Sequence, residues 1–262
     1  MRCKICGTPS TPVFTARMLN KYPAQYFRCS QCDFLQTEEP HWISEAYGSA
    51  ISELDLGPVN RALQGSRLAE ATILLWFDSK ARFIDWGGGY GIFTRLMRDK
   101  GFDFYWRDMY CDNLFAKHFV ASPNERYELM TCFEVFEHLV DPIAEIEEML
   151  KYSQSILFTT TLAPTKLQSA DDWWYLAPQT GQHISIYSPK TLRVISEKRN
   201  LNLVSDGANV HLLSNKVVSP RIFKSIASDG RTARALRWWY RRRRNVKSLL
   251  ESDFQNVSGL NF

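Results

Sequence analysis

Four of the six cysteines fall into two pairs, Cys3-x-x-Cys6 and Cys29-x-x-Cys32. A two-residue turn lets both sulfurs of a pair, and the amides between them, face one ion. Two such turns supply the four thiolates of a closed tetrahedral Zn²⁺ site. The 22 residues between the pairs slightly exceed the usual spacing of about 15–20. Within them, Val13-Phe14 and Gln25-Tyr26-Phe27-Arg28 alternate like the short strands of a zinc ribbon. Two disulfides or a redox pair are the competing readings. A cytosolic setting disfavours the first, and the second calls for a lone C-x-x-C. Such a zinc is expected to be structural, because four thiolates leave no position for a catalytic water. Cys111 and Cys132 have no partner motif and are expected in the core.

A second group of telling residues follows the apolar run Phe83-Ile84-Asp85-Trp86, where the chain reads Asp85-x-Gly87-x-Gly89-x-Gly91. Glycines at a strand-to-helix turn admit backbone approach to a ligand where a side chain would block it. The spacing is not the dinucleotide fingerprint: the third position is Ile92 counted from Gly87 and Gly89, and Thr94 counted from Gly89 and Gly91. The Walker lysine is absent as well.

The elements that must hold these residues alternate in type. Residues 41–80 are expected to be helical, with Leu54, Leu56, Leu63, Leu68, Ile73, Leu74 and Trp76 as apolar positions. Phe83–Trp86 reads as a strand, and Ile92, Phe93, Leu96 and Met97 follow at helical spacing up to Lys100-Gly101. Further strands are expected at Phe104–Trp106, Leu129–Phe133 and Ser155–Leu162, with helices from Asp141-Pro142 to Lys151 and after Ser188-Pro189. Leu201–Ser205 and Asn209–Leu213 suit a closing hairpin turned by Asp206-Gly207. The expected class is α/β: a Rossmann-like, doubly wound, mostly parallel sheet with an antiparallel closing hairpin, preceded by a small zinc ribbon.

The run DWGGGYG (85–91) resembles the first motif of class I S-adenosylmethionine-dependent methyltransferases. Three further segments fit that family, over about residues 80–213 and in its order. Asp108 ends the second strand, 19 residues past Gly89, where a carboxylate can accept both ribose hydroxyl protons. The stretch from Tyr127 to Glu137-His138 resembles the family's fourth-strand segment, continuing as E-H-x-x-D-P to Pro142. Gly181-Gln182-His183-Ile184 and Ser188–Leu192 resemble the segment that follows its fifth strand in small-molecule members. No acidic residue between Asp108 and Tyr127 is assigned to the adenine amine.

The resemblance implies S-adenosylmethionine as cofactor. It places Gly87, Gly89 and Gly91 under the methionine and ribose, with Asp85 orienting the loop and Phe133 and Glu134 beside the cofactor. Trp86 reads as a packing residue. An acceptor hydroxyl or acidic C–H needs a base, and imidazole suits neutral pH. His183 and His138 are the candidates, with Glu137 as orienter or second base. His138 also has a bland reading as a loop histidine capping the next helix. The tract Trp173-Trp174-Tyr175 beside His183 either walls an acceptor pocket or is core. His118 and His211 read as structural.

The net charge of +4 is unevenly spread: Arg231 to Lys247 holds eight basic residues and no acid, leaving residues 1–230 at −2. The body is not basic enough for a nucleic-acid binder. The basic, aromatic tail either contacts an anionic surface or packs on the domain through Leu236, Tyr240, Val246, Leu249 and Leu250. The expected division is a zinc ribbon at 1–40, a methyltransferase domain at 41–215 and a basic extension at 216–262. No run reaches about 20 apolar residues and no signal-peptide pattern opens the chain, so a cytoplasmic location is expected. The order of ribbon then catalytic domain is similar to zinc-binding sugar methyltransferases, which implies a small-molecule acceptor, a sugar or nucleotide-sugar. An rRNA base methyltransferase and a non-catalytic cofactor-binding scaffold are the alternatives.

Overall fold

The computed structural model describes residues 1–48 and 55–259; Leu54, expected as an apolar helix position, lies outside them. The chain opens with three strands, β1 (Ser10–Met18), β2 (Tyr22–Cys29) and β3 (Leu35–Thr37). Two helices follow, α1 (Ile43–Ala46) and α2 (Pro58–Trp76). The α/β succession is then β4 (Arg82–Trp86), α3 (Ile92–Asp99), β5 (Asp103–Arg107), β6 (Leu129–Phe133), α4 (Pro142–Tyr152) and β7 (Ser155–Thr159). A short strand, β8 (Ser185–Ile186), precedes α5 (Pro189–Lys198) and the hairpin β9 (Asn202–Ser205) and β10 (Val210–Ser214). The tail forms α6 (Pro220–Ala227), α7 (Arg231–Arg243) and α8 (Leu250–Ser258).

The larger sheet has the order β5-β4-β6-β7-β10-β9. Its first four strands run parallel, and β10 closes antiparallel on both β7 and β9. The expected fold class holds. Strand periodicity explains how the sheet is covered on both faces. Ile84, Met130, Ile156 and Leu213 enter one core with α4 and α5. Their neighbours Phe83, Leu129, Leu157 and Leu212 enter the other with α2, α3, α6 and α7. The first core also takes in Cys3, Ile5, Cys29, Cys32 and Phe34 of the N-terminal module.

Several local expectations need correcting. No third parallel strand extends the sheet past β5 among the described residues; only an isolated bridge joins Trp106 to Val120. The strand expected to reach Leu162 ends at Thr159. Leu56 is 94% exposed because it precedes α2 and is not helical, and Leu63 is 40% exposed because the first turns of α2 border a cavity and the buried face starts at Gly65. Asp206 turns the hairpin as expected, its Oδ1 accepting from the Ala208, Asn209 and Val210 amides.

The N-terminal strands are tied into the rest of the chain. They form a second sheet of order β1-β2-β3-β8, in which Leu35 pairs with Ile186 and Gln36 with Ser185. Ser188 caps α5 in a capping box with Thr191, and both hydroxyls also donate to the Cys32 carbonyl.

The tail packs as well. Leu236, Tyr240 and Val246 lie against the second core, whereas Leu250 is 58% exposed rather than buried. Asp253, a position with no sequence signal, is buried and accepts a two-pronged bond from Arg98: Nε to Oδ2 at 2.8 Å and Nη2 to Oδ1 at 2.7 Å. Removing one partner of such a buried pair leaves an uncompensated charge. Asp253→Ala should therefore cost about 3 kcal/mol, the low end for a broken buried pair, since Asp103 still pairs with Arg98. Denaturant unfolding checks this; an unchanged midpoint would mean that α8 does not anchor the fold.

Candidate active site

A cavity of about 960 Å³ opens where the parallel strands end, bounded by the glycine turn after β4, Asp108 after β5 and Phe133–Glu134 at the end of β6. Ligands sit at this edge of an α/β sheet because the strand-to-helix turns present free backbone there. Gly87 has φ +71°, and a Cβ on it would lie 2.5 Å from Val135 Cγ2. Gly89 (φ +52°) differs: a Cβ there would meet nothing within 4 Å, so its outer face is open space. Gly91 is the left-handed N-cap of α3.

Side chains beneath the turn set its shape. Asp108 accepts from the Gly89 amide through Oδ2 at 2.9 Å, and from the Tyr110 and Cys111 amides through Oδ1. The Trp106 indole donates to the Gly89 carbonyl at 2.7 Å. Asp85 does not bond the loop amides. It is buried and accepts from the Thr131 and Thr94 hydroxyls, fixing β4 to β6 and α3. Burial pushes its carboxyl up to about 7 against the pull of those hydroxyls. Glu134, at φ +55°, is held by Thr159: the Glu134 amide donates to its Oγ1, which donates to Glu134 Oε1 at 2.7 Å.

The opposite wall gathers Glu137, His138 and His183, one ligand-type atom from each within 4.8 Å of the others. Two hydrogen bonds bring the segments together: Ile184 N–H donates to Glu137 O at 2.9 Å, and the Ser185 hydroxyl to Leu139 O. His183 Nδ1–H donates to the Tyr175 carbonyl. That bond fixes the neutral tautomer and leaves Nε2 with its lone pair. The Tyr47 hydroxyl lies 2.8 Å from His138 Nδ1. Glu137 bonds neither imidazole side chain; its Oε1 accepts from the Tyr175 hydroxyl at 2.6 Å, and its buried Oε2 has no partner.

Burial governs the protonation states. His183 is pulled below the usual histidine range by burial, against the effect of the Tyr175 carbonyl. His138 falls to about 3 through burial and the neighbouring His183. Glu137 rises to about 8 through burial, with the Glu134 charge adding to it. Both imidazoles are thus held neutral, beside a carboxyl that titrates near neutrality.

The sequence expectations for Asp85, Gly87, Gly89, Gly91, Asp108, Phe133, Glu134, Glu137, His138 and His183 thus meet at one cavity, which all ten line or support. Cys111 is not core; it lines this cavity half-buried. Trp86 packs edge-on against Tyr152, as expected. His211 is buried between Ser205 and the Thr160 carbonyl. Tyr47, Trp106, Thr131 and Thr159 carried no sequence signal, because each acts through a contact across elements. Of the aromatic tract, Trp174 is 78% exposed at the cavity rim and Tyr175 is buried beneath it.

The four paired cysteines cluster with sulfurs within 4.8 Å of one another, Cys3 to Cys32 at 3.5 Å and Cys6 to Cys29 at 3.4 Å. A tetrahedral ion with Zn–S bonds of ~2.3 Å sets its sulfurs about 3.8 Å apart. The Ile5 amide also points at Cys3 Sγ and the Cys32 amide at Cys29 Sγ, so the donor set fits zinc.

The model of the methyltransferase domain matches residues 60–206, more than half of the chain. The chain belongs to the methyltransferase-domain family. Among solved structures, it is similar to the N-terminal domain of EvdMO1, determined with SAH and D-fucose (13% identity, 63% of this chain and 85% of that one, TM-score 0.40). It is also similar to magnesium protoporphyrin IX methyltransferase from Synechocystis PCC 6803 (12%, 65% and 90%, TM-score 0.42). A third is the plantazolicin methyltransferase BpumL (13%, 74% and 82%, TM-score 0.44). The search of curated proteins finds no match to this chain.

Glu137 offers a pH test. Its native value of about 8 lies above the unfolded value of about 4.3, so the native state keeps a proton that the unfolded chain releases. The stability this adds is complete below about pH 4.3 and is lost as pH rises through about 8. Glu137→Gln should therefore lose less thermal stability than wild type between pH 5 and pH 9, by scanning calorimetry. Equal losses in the two proteins would mean that Glu137 is already ionised at neutral pH.

Proposed function

We propose that the protein is an S-adenosylmethionine-dependent methyltransferase whose acceptor is a small molecule, a sugar or nucleotide-sugar. The observation that carries this reading is that His183, with Nδ1–H given to the Tyr175 carbonyl, lines the same cavity as the open face of Gly89. When bound, the sulfonium supplies an activated methyl group. The chain's own part is positioning and proton removal. The glycine turn seats the cofactor backbone, and Asp108, already ordered by three amides, presents carboxylate lone pairs to the ribose hydroxyls. Phe133 and Glu134 border the same space. His183 Nε2 takes the proton from an acceptor O–H or acidic C–H, with His138 and Glu137 beside it.

The acceptor side mixes aromatic surface with polar groups, which suits a polyhydroxylated ligand. Trp174 stands exposed at the rim, Tyr47 stacks on Tyr110 at 4.9 Å, and the Arg61–Asp55 ion pair faces the cavity. We assign residues 1–40 to a structural zinc module held by Cys3, Cys6, Cys29 and Cys32, 41–215 to the catalytic domain and 216–262 to an extension.

Calorimetry with S-adenosylmethionine and turnover on a panel of nucleotide-sugars test the reading. Gly89→Val should abolish cofactor binding, and Asp108→Ala should weaken it by about 1.5–3 kcal/mol. His183→Ala should lower turnover by about 10²–10⁴-fold while cofactor affinity holds. A wild type that fails to bind the cofactor sinks the whole reading, and a fully active His183→Ala sinks the choice of base. Metal analysis tests the zinc: about one ion per chain in wild type and little in Cys29→Ser. Equal, near-zero zinc in both would refute it.

A further inference from the structure

The basic residues of α7 divide by direction. Those turned toward the body are engaged: Arg237 with Asp229 at 2.6 Å, Arg241 with Glu70 at 2.8 Å, and Arg244 with the Phe77 carbonyl at 2.7 Å. Ala233, Leu236 and Tyr240 pack on the same side, against the second core. Arg231, Arg234, Arg242 and Arg243 have no acidic partner among the described residues.

Arg231, Arg234, Trp238 and Arg242 recur at i, i+3, i+7 and i+11, which is one helical face. Trp239 flanks it. Trp238 is 63% exposed and Trp239 45% exposed, and no acidic residue lies on the helix. An ion pair or a bond to a carbonyl accounts for each arginine that faces the protein; Arg231 and Arg234 have no acidic partner among the described residues, and Arg242 and Arg243 have only the exposed indoles of Trp238 and Trp239 beside them.

We propose that this face of α7 docks on the surface of an anionic phospholipid bilayer. The charge is complementary, and the residue types suit the depth: indole rings settle at headgroup level while guanidinium groups reach lipid phosphates. The charge distribution disfavours a nucleic acid, since residues 1–230 carry −2 and only this helix offers a run of cations. Arg242 Cζ sits 5.6 Å from the Trp238 ring centroid and Arg243 Cζ 5.1 Å from that of Trp239. Each cation lies over one face of its ring. A bilayer needs only the ring edges, with the cations at the phosphates.

The test is co-sedimentation of the full chain with vesicles of phosphatidylcholine containing about 30% phosphatidylglycerol, against phosphatidylcholine alone and a single-stranded RNA oligonucleotide. Binding to the anionic vesicles alone, weakening with added salt, is expected. Each basic residue at such a surface is worth about fivefold in partitioning, so Arg234→Gln with Arg242→Gln should lower it about 30-fold. Trp238→Ala with Trp239→Ala should lower it as well. All four positions are on an outward face, so melting temperature and cofactor binding should match wild type in both variants. No binding to anionic vesicles, binding unchanged in both variants, or tighter binding to the RNA would overturn the proposal.

Discussion

One short pairing, Gln36 with Ser185 and Leu35 with Ile186, carries more of this molecule than its length suggests. It makes the residues just after His183 a strand of the N-terminal sheet. The Tyr26 hydroxyl donates to the His183 carbonyl at 2.8 Å, and the Trp42 indole to the Gly181 carbonyl at 2.8 Å. A loop between two strands of a Rossmann-like sheet is ordinarily free to move, because its backbone is satisfied by water. Here the carbonyls at 181 and 183 are taken by side chains from residues 26 and 42. The candidate base therefore hangs between two structures, with its ring bonded to Tyr175 and its backbone bonded to the cysteine module.

That arrangement would let an ion at the four cysteines act on the position of His183 from a distance. The four sulfurs hold the turns at Cys3–Cys6 and Cys29–Cys32, and the Cys32 carbonyl receives the Ser188 and Thr191 hydroxyls at the start of α5. Ile5 and Phe34 complete the same core as Phe136 and Tyr187. An ion at the cysteines would stiffen the side of the cavity that carries His183. The glycine turn depends instead on Asp108 and Trp106 at the end of β5, which bond the Gly89 amide and carbonyl. The glycine turn and the wall that carries His183 thus rest on different supports.

What the sequence makes legible follows from how local each signal is. Hydrophobic runs and caps place β4, β6, α4 and α5 closely: Leu129–Phe133 is β6 residue for residue, and Ser188 is the α5 cap. Paired cysteines and the DxGxGxG turn are short-range patterns, and the structure brings each together. Long-range partners leave no such trace. Nothing near Tyr47 in sequence points to His138, 91 residues away, nor anything near Asp253 to Arg98, 155 residues away. The same reason hides the strand status of Ser185–Ile186, since two residues show no periodicity. Exposure of Leu56 and Leu63 is illegible for the converse reason: apolar spacing does not show that the helix starts only at Pro58 or that its first turns border a cavity.

The placement of buried charge separates the parts of the molecule that hold still from the part that reacts. Arg98 and Asp253 are both nearly inaccessible and bonded through two donors, and Glu70 is shared by Lys100 and Arg241. Each buried charge there is offset by an opposite one, so the tail helices are fixed at little net electrostatic cost. At the cavity the pattern reverses. Glu137 is buried with one oxygen unpartnered and another carboxylate, Glu134, close enough to raise its affinity for a proton. Uncompensated burial destabilises the ionised form, and the fold tolerates it only where something else over-determines the geometry. Here the Tyr175 hydroxyl, the Ile184 amide and the stacked rings of Phe136 and Phe158, centroids 3.9 Å apart, supply that constraint. The uncompensated carboxyl thus sits where its neighbours leave it no room to turn toward water.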